Sequence, residues 1–532
     1  MELKNNRKDD RHKFRRFFSQ FFVVSVENLH LFTSGVCYAL PTIVIPALTK
    51  HSNEHNKSEF LTITSVQASW MGSFMIILNL FGSLLSGFVT DPIGRKRAMI
   101  LVSIPFIIGF CILYLCTSSV SAVFVGLTFL SLADGLMTTP IMSYLGEISE
   151  VSNRSLFNGY GNIVLSFGIF VAYELNTMMS WRKVCFICAN LPLITAIAVF
   201  FLLPETPQFL LSKNRTAEAK VSLRRLRGWV PYEAVAQEFE DLQRQSERSK
   251  SCYTCIKQDL ACTHALPTMS EKLAELKRKQ TLKPLCIIIT LFFLFPFTGI
   301  VAMRPYMLQI FKAYNSPIEP DQAVTIQSIF DILGTISMML LVRFTGKRRL
   351  YLFCMSAVLV CSATITWYGF TYLPPSRYIS IDQHKPFQLD NKALEYIPFI
   401  CLMTWSYFTT CGLYGIPWIL FSEIFPFKSR GIACGVSAST LFVFVFIGEK
   451  TYLNLEATLS LPGVSLLFTC ISFFGLMVAY NILPETENRS LEDIELHFAD
   501  NSKGLTDHKI AISKPQDKTQ LIEGDNNNNN HL

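Results

Sequence analysis

Charge is scarce in this 532-residue chain: Asp, Glu, Lys and Arg together make up 16% of it. A soluble protein of this length would need several cores and a more charged surface around them. Catalytic and nucleotide signatures are missing too. No P-loop is present, so nothing points to ATP-driven pumping. No nucleophile–base arrangement, metalloprotease motif or dinucleotide fingerprint is readable, so no enzyme activity, cofactor or metal is expected. A cleavable leader is not evident, because the first apolar run is long and follows a basic segment, as a retained helix does. The net charge of +7 needs no nucleic-acid partner to explain it.

Half the residues are hydrophobic, 13% are aromatic with 44 Phe, and the mean hydropathy is +0.33. Apolar stretches long enough to cross a bilayer as helices recur near 20–48, 66–90, 98–117, 121–146, 157–178, 184–203, 285–313, 322–343, 349–373, 396–421, 431–455 and 461–483. Runs of this length are not barrel strands, and only helices or closed barrels span lipid. The expected fold class is therefore an all-α membrane protein of twelve transmembrane helices. The many Phe residues read as lipid-facing and packing surface rather than as a cofactor site.

Basic residues set the orientation. Lys4, Arg7, Lys8, Arg11, Lys13, Arg15 and Arg16 precede the first run, and Arg95, Lys96, Arg97, Arg154, Lys347, Arg348, Arg349, Lys428 and Arg430 fall in like-sided loops. Both termini are thus expected in the cytoplasm. Asn56-Lys57-Ser58 lies in the first outer loop and is a candidate glycosylation sequon, so Asn56 is the expected glycan site. The organisation expected is a basic tail over 1–19, a six-helix half over 20–204, a charged cytoplasmic loop over 205–284, a second half over 285–483, and a polar, partly disordered tail over 484–532. Within the loop, 232–248 and 269–279 read as short amphipathic helices on the inner face. The 15 cysteines are scattered, mostly inside helices, which suits reduced buried thiols. Cys252, Cys255, Cys262 and His264 cluster in the loop, but the interval to Cys262 is short for a zinc finger. Palmitoylation or plain loop thiols are preferred to zinc.

One signature set is written twice. Gly94-Arg95-Lys96-Arg97 returns as Gly346-Lys347-Arg348-Arg349, Glu147 with Arg154 returns as Glu423 with Arg430, and Pro204-Glu205-Thr206 returns as Pro484-Glu485-Thr486. A duplicated helix bundle accounts for this, and such bundles usually move solutes by rocking their halves about a central site. Asp91-Pro92-Ile93-Gly94-Arg95-Lys96, Pro207, Ser69-Trp70, Gly72-Ser73, Trp181-Arg182 and Pro417-Trp418 complete an ordered series. In this order the motifs resemble the sugar porter family of the major facilitator superfamily over roughly 20–495. Within it the chain is most similar to insect facilitated trehalose transporters.

The resemblance implies two pseudo-symmetric six-helix halves and a cytoplasmic gate of Asp91, Gly94, Arg95, Glu147, Arg154, Glu205, Gly346, Arg348, Glu423, Arg430 and Glu485. Carboxylate–guanidinium pairs at helix ends can hold neighbouring helices together. Several positions depart from the pattern: Pro92, Leu127 and Gln208 stand where the family has Arg, and Arg343 stands where it has Asp. The sugar site departs further. The adjacent glutamines of the seventh helix align with Phe295 and Pro296, its Asn with Val301, the fifth-helix Gln with Asn162, and the eleventh-helix Asn-Trp with Leu441-Phe442. The implied site is Asn162, Thr298, Gly299 and Trp418, with Phe295 and Leu441 replacing polar ligands. Each lost hydrogen bond to a sugar hydroxyl would cost about 1 kcal/mol in a dry site.

Ionisable residues inside apolar runs are functional candidates. Glu27 and His30 lie in the first run, Asp134 in the fourth, Arg304 in the seventh, Asp331 in the eighth, and Glu449 and Lys450 near the outer end of the eleventh. Asp134, Arg304 and Asp331 stand out. Arg304 with either acid could recognise a charged solute; alternatively Arg304 snorkels outward or pairs with an outer loop. Lys450 reads as an interfacial anchor. Proton-coupled relatives carry an acid where this chain has Thr33, so facilitated diffusion is expected. The expected protein is a plasma-membrane carrier of a small organic solute, a trehalose or hexose by resemblance, with the lipid bilayer as its surroundings and no obligate protein partner. The alternatives are a carrier of a non-sugar solute and a transporter-derived nutrient sensor.

Overall fold

The computed structural model describes residues 2–49, 59–115, 119–150, 153–249, 276, 279–373, 392–425, 430–487, 489, 491–499 and 510. Asn56 and the Cys252, Cys255, Cys262 and His264 cluster lie outside the described residues, as does most of 269–279. Among the described residues, eleven helices are long and apolar enough to cross a membrane. The last of them, Arg430–Ile482, breaks at Ser460 (φ 66°), which divides it into two spans and brings the total to twelve. The protein is an integral membrane protein.

The first span is Phe14–Leu48. It is built from helices Glu2–Glu27 and Leu29–Leu48, which meet at Asn28, so helix also runs through most of the basic segment expected as a tail. Spans two to six are Ser65–Ile93, Arg95–Leu115, Val120–Ile148, Arg154–Met178 and Trp181–Leu202. Thr64 and Gln67 open the second with a capping box, satisfying two amides that have no partner within the helix. The seventh span is broken. Helix Lys279–Phe297 stops at Thr298 and Gly299, and the chain resumes as Ile300–Met303, a tight turn Arg304–Tyr306 and Met307–Ala313. The eighth and ninth are Pro320–Thr345 and Lys347–Tyr372. The tenth runs from Tyr396 to Glu423 through a wider π-helical segment, Thr409–Tyr414.

Spans two, three and four pack together, as do one with five and three with six; eight, nine and ten form the matching cluster in the second half, and helix Arg430–Ile482 packs on spans seven and nine. The halves meet where span two lies along span eleven, span five along span eight, and the Arg304–Tyr306 turn against span one.

The loop after the sixth span holds more helix than expected. Pro207–Ser212 and Thr216–Leu226 precede Ala236–Ser249, and Leu210, Leu211, Ala219, Leu223, Val230, Val235 and Phe239 form a small core of their own. Arg227 ties this unit to the C-terminal end of span four: its guanidinium donates to the Ile148 carbonyl (2.9 Å) and to Glu238, and lies 3.6 Å from Glu150. A last helix, Leu491–Ala499, packs on span seven.

Helix association in lipid relies on small residues that let backbones approach, because apolar side chains gain little by leaving lipid tails. Spans one and five use this reciprocally. A Cβ on Gly35 would strike the Leu165 carbonyl, and one on Gly168 would strike the Phe32 carbonyl. The obstacle is the neighbouring backbone, which cannot swing aside. Gly35→Val or Gly168→Leu should lower thermal stability in detergent by about 1–3 kcal/mol or more, with loss of surface-expressed protein. Gly87→Ala, a position with nothing within 4 Å, should melt like wild type. Equal melting of all three variants and wild type would contradict this packing.

Candidate functional site

The duplicated motifs form the same device twice. Gly94 (φ 100°) turns the chain between spans two and three, and Gly346 (φ 79°) does so between eight and nine; both lie in the left-handed region that side chains rarely adopt. A carboxylate from far along the chain then caps the next helix. Glu205 accepts from the Arg95 and Lys96 amides (3.1 and 3.2 Å), and Glu485 accepts from the Lys347 and Arg348 amides (3.2 Å each). A negative charge at a helix N-terminus satisfies free N–H groups and complements the helix dipole.

The side chains complete the pattern. Arg95 Nη2 lies 2.8 Å from Glu147, and its Nη1 lies 3.9 Å from Asp91. In the second half it is Lys347, not Arg348, that pairs with the matching acid: its Nζ lies 2.7 Å from Glu423 and 3.1 Å from Glu487. Arg348 instead donates to the Leu483 and Tyr480 carbonyls (2.7 and 2.6 Å), as Lys96 donates to Phe200 (2.8 Å). Arg154 donates to the Gly146 carbonyl (2.8 Å) at the end of span four. Helix Arg430–Ile482 begins at Arg430, whose side chain lies outside the described residues. Each of these contacts stays within one half.

Among the described residues, the hydrogen bonds that cross between halves gather at the other ends of the spans. Thr42 donates to the Arg304 carbonyl (2.9 Å), Gln309 to Thr49 (3.3 Å), Asn176 to Asp321 (3.1 Å) and Ser69 to the Lys450 carbonyl (2.9 Å). The Lys450 ammonium sits 3.9 Å from the centroid of the Trp70 ring, which also faces Phe446. Lys450 is thus a bond between halves. Trp181 and Arg182 find a partner that sequence reasoning missed: Glu59 accepts from the indole (3.0 Å) and pairs with the guanidinium (2.8 Å).

Of the two acids named with Arg304, the structure brings Asp331 to it and not Asp134. Arg304 neither snorkels nor pairs with a loop; its Nη2 lies 3.0 Å from Asp331 on span eight. Ser406 donates to the other Asp331 oxygen, and Gln327 donates to Ser406 (3.2 Å). The pair is neutral overall and held by span ten. Asp134 accepts from Asn79 on span two (2.6 Å), and Asn79 also donates to Tyr38 on span one (2.8 Å). Glu27 and His30 are buried inside the first half, with His30 Nε2 3.3 Å from the Ser103 hydroxyl. Glu449 is buried too, within electrostatic reach of Arg304.

Of the expected sugar-site residues, Phe295 packs on Tyr414 (5.3 Å between rings), and Trp418 on Phe292 (5.4 Å) and Phe421 (5.3 Å). Asn162 is half-buried on span five. Thr298 is buried and donates to the Phe295 carbonyl of its own helix (3.1 Å), while the open side of Gly299 faces Phe468 and Trp405 within the second half. Leu441 is buried in the core.

The model of the family described as "Sugar (and other) transporter" matches residues 20–498. The chain belongs to that family. This sugar porter is 28% identical over 455 residues to the facilitated trehalose transporter Tret1 of Apis mellifera ligustica, covering 85% of this chain and 84% of that one. It is 29% identical over 475 residues to Tret1 of Drosophila yakuba, covering 88% of this chain and 51% of the relative, so it spans about half of that longer protein. Its fold is similar to the inward-open xylose transporter XylE from E. coli, with a TM-score of 0.66 at 14% identity, covering 90% of this chain and 99% of that chain. It is also similar to the proton:xylose symporter XylE bound to 6-bromo-6-deoxy-D-glucose, with a TM-score of 0.65 at 14% identity and the same coverage. The porter is a transporter, not an enzyme.

Removing one member of a buried ion pair leaves an uncompensated charge and costs about 3–5 kcal/mol, whereas replacing both is often neutral. Asp331→Asn should therefore melt well below wild type in detergent, and adding Arg304→Gln should recover more than half of the loss. A single variant as stable as wild type would show that the pair holds nothing.

Proposed function

We propose that this sugar porter carries a sugar, trehalose or a hexose, across the plasma membrane by facilitated diffusion, with both termini in the cytoplasm. The observation that carries the reading is the family match over nearly the whole transmembrane region, on a chain whose halves are each braced internally and touch across a seam. The named relatives move trehalose. Alternating access requires this division of labour, because stiff halves transmit rocking to a central site. The gate residues then act by keeping each half rigid: Glu205 and Glu485 cap helices, and Arg95 with Glu147 and Lys347 with Glu423 brace them. The bonds at Thr42, Ser69 and Lys450 separate when the outer face opens. Trp418 offers a sugar ring an apolar face, and Asn162 offers an amide.

The test is uptake of trehalose, glucose, a polyol, amino acids and organic anions into oocytes expressing the full chain, with Trp418→Ala as control. Saturable sugar uptake is expected, reduced roughly tenfold or more by the substitution at equal surface abundance, as loss of a well-packed contact of about 1.4 kcal/mol or more requires. Absence of sugar uptake with confirmed surface expression would overturn the reading. Uptake of another panel member would then favour a non-sugar carrier, and no uptake at all a sensor.

A further inference from the structure

Asp134 lies midway along span four, and Asn79 midway along span two, far from the ends of both spans. A carboxylate at this depth is costly and marks a functional position by default. Asp331 meets the cost with a guanidinium. Asp134 does not: its hydrogen-bond partner among the described residues is the neutral Asn79 amide at 2.6 Å, with the hydroxyls of Ser34 and Tyr38 close by. These groups of spans one and two converge on one carboxylate of span four. A tie between three helices needs no charge, since an amide in place of the acid would make comparable bonds.

Across the seam stands Tyr414, at the end of the π-helical segment of span ten. It is half-buried, as Tyr38 is, and both Tyr38 and Asp134 lie within its electrostatic reach. Single wide turns of this kind are frequent at functional sites. Tyr414 stacks on Phe295, which occupies a position where the family resemblance would place a glutamine. The second half has thus become aromatic where the resemblance would place an amide, and Tyr38 and Asp134 of the first half lie across from that wall.

We infer that Asp134, positioned by Asn79 and Tyr38, is the hydroxyl-reading group of the sugar site, accepting hydrogen bonds from adjacent hydroxyls of a neutral sugar whose ring face rests on Tyr414 and Phe295. This rests on the reading of the chain as a sugar carrier. An ionised carboxylate has acceptor sites for two hydroxyls at once, and bonds to a charged acceptor are roughly twice as strong as neutral ones. One acid thereby does the work of the absent pair of amides. Asn79 and Tyr38 are positioning residues: they hold the carboxylate with one face toward the seam.

The experiment uses the purified full chain in proteoliposomes, with trehalose and glucose as substrates and the monodeoxyglucoses as competitors. Asp134→Asn should raise KM about 10–100-fold, the range that a charged hydrogen bond represents, and change kcat less than threefold. At least one monodeoxyglucose, lacking the hydroxyl that Asp134 holds, should inhibit wild type and variant equally. Tyr38→Phe keeps the charge and the ring and should raise KM about 3–10-fold, which preserves the test if Asp134→Asn does not fold. An unchanged KM in either folded variant, or an equal loss for every deoxy analogue, would overturn the assignment while leaving sugar transport intact. A wild-type protein that moves no sugar would overturn the carrier reading beneath it.

Discussion

Lipid offers no hydrogen bonds, so every polar group inside the membrane must find its partner within the protein. Much of this structure answers that single demand. Where the chain turns at Gly94 and Gly346, the next helix begins with free amides, and Glu205 and Glu485 return from about 110 and 138 residues away to cap them. Where a guanidinium enters the second half at Arg304, Asp331 meets it, and Ser406 satisfies the remaining oxygen. In the tight turn at Arg304–Tyr306 the Arg304 carbonyl accepts from the Met307 amide, and Thr42 reaches across the seam to the same oxygen. Partnering of this kind gives each half its stiffness.

The two halves use different strengths of bond inside and between themselves. Within a half the braces are ion pairs and capped helix ends. Between halves, the ties among the described residues are hydrogen bonds, one of them from Asn176 to the Asp321 carboxylate, and the Lys450–Trp70 contact. Neutral hydrogen bonds are worth about 1 kcal/mol each, and charged ones more. The molecule is therefore weakest along its seam, which is the property a carrier that rocks about a midplane site requires.

Much of this was legible in the sequence. The spans follow from long apolar runs, and the repeated Gly, Glu and basic residues mark the cap because a turn of that shape needs glycine and a helix start needs an acid. The partner of Glu423 was not legible: Lys347, Arg348 and Arg349 are consecutive and alike in charge, and only the helix phase decides that Lys347 points to the acid while Arg348 points to carbonyls. Glu59 was missed because its partners Trp181 and Arg182 lie more than 120 residues away. In the loop unit the helix carrying Phe239 was expected over 232–248, but Pro207–Ser212 and Thr216–Leu226 were missed, although Ala219, Leu223 and Leu226 repeat at helical spacing. Asn79 carried a usable signal, an amide in an apolar run, but its pairing with Asp134 is set by how spans two and four cross.

The central claim is that this protein is a carrier whose sugar site is exposed to one side at a time. Counterflow in proteoliposomes tests it most directly. Vesicles containing the purified chain are loaded with unlabelled trehalose or glucose and diluted into a trace of the labelled sugar, with and without an imposed pH gradient. The account predicts transient accumulation of label above its external concentration, saturable and unaffected by the pH gradient, because a loaded site returns faster than an empty one. Label entry no faster than into protein-free vesicles, for both sugars, would contradict it.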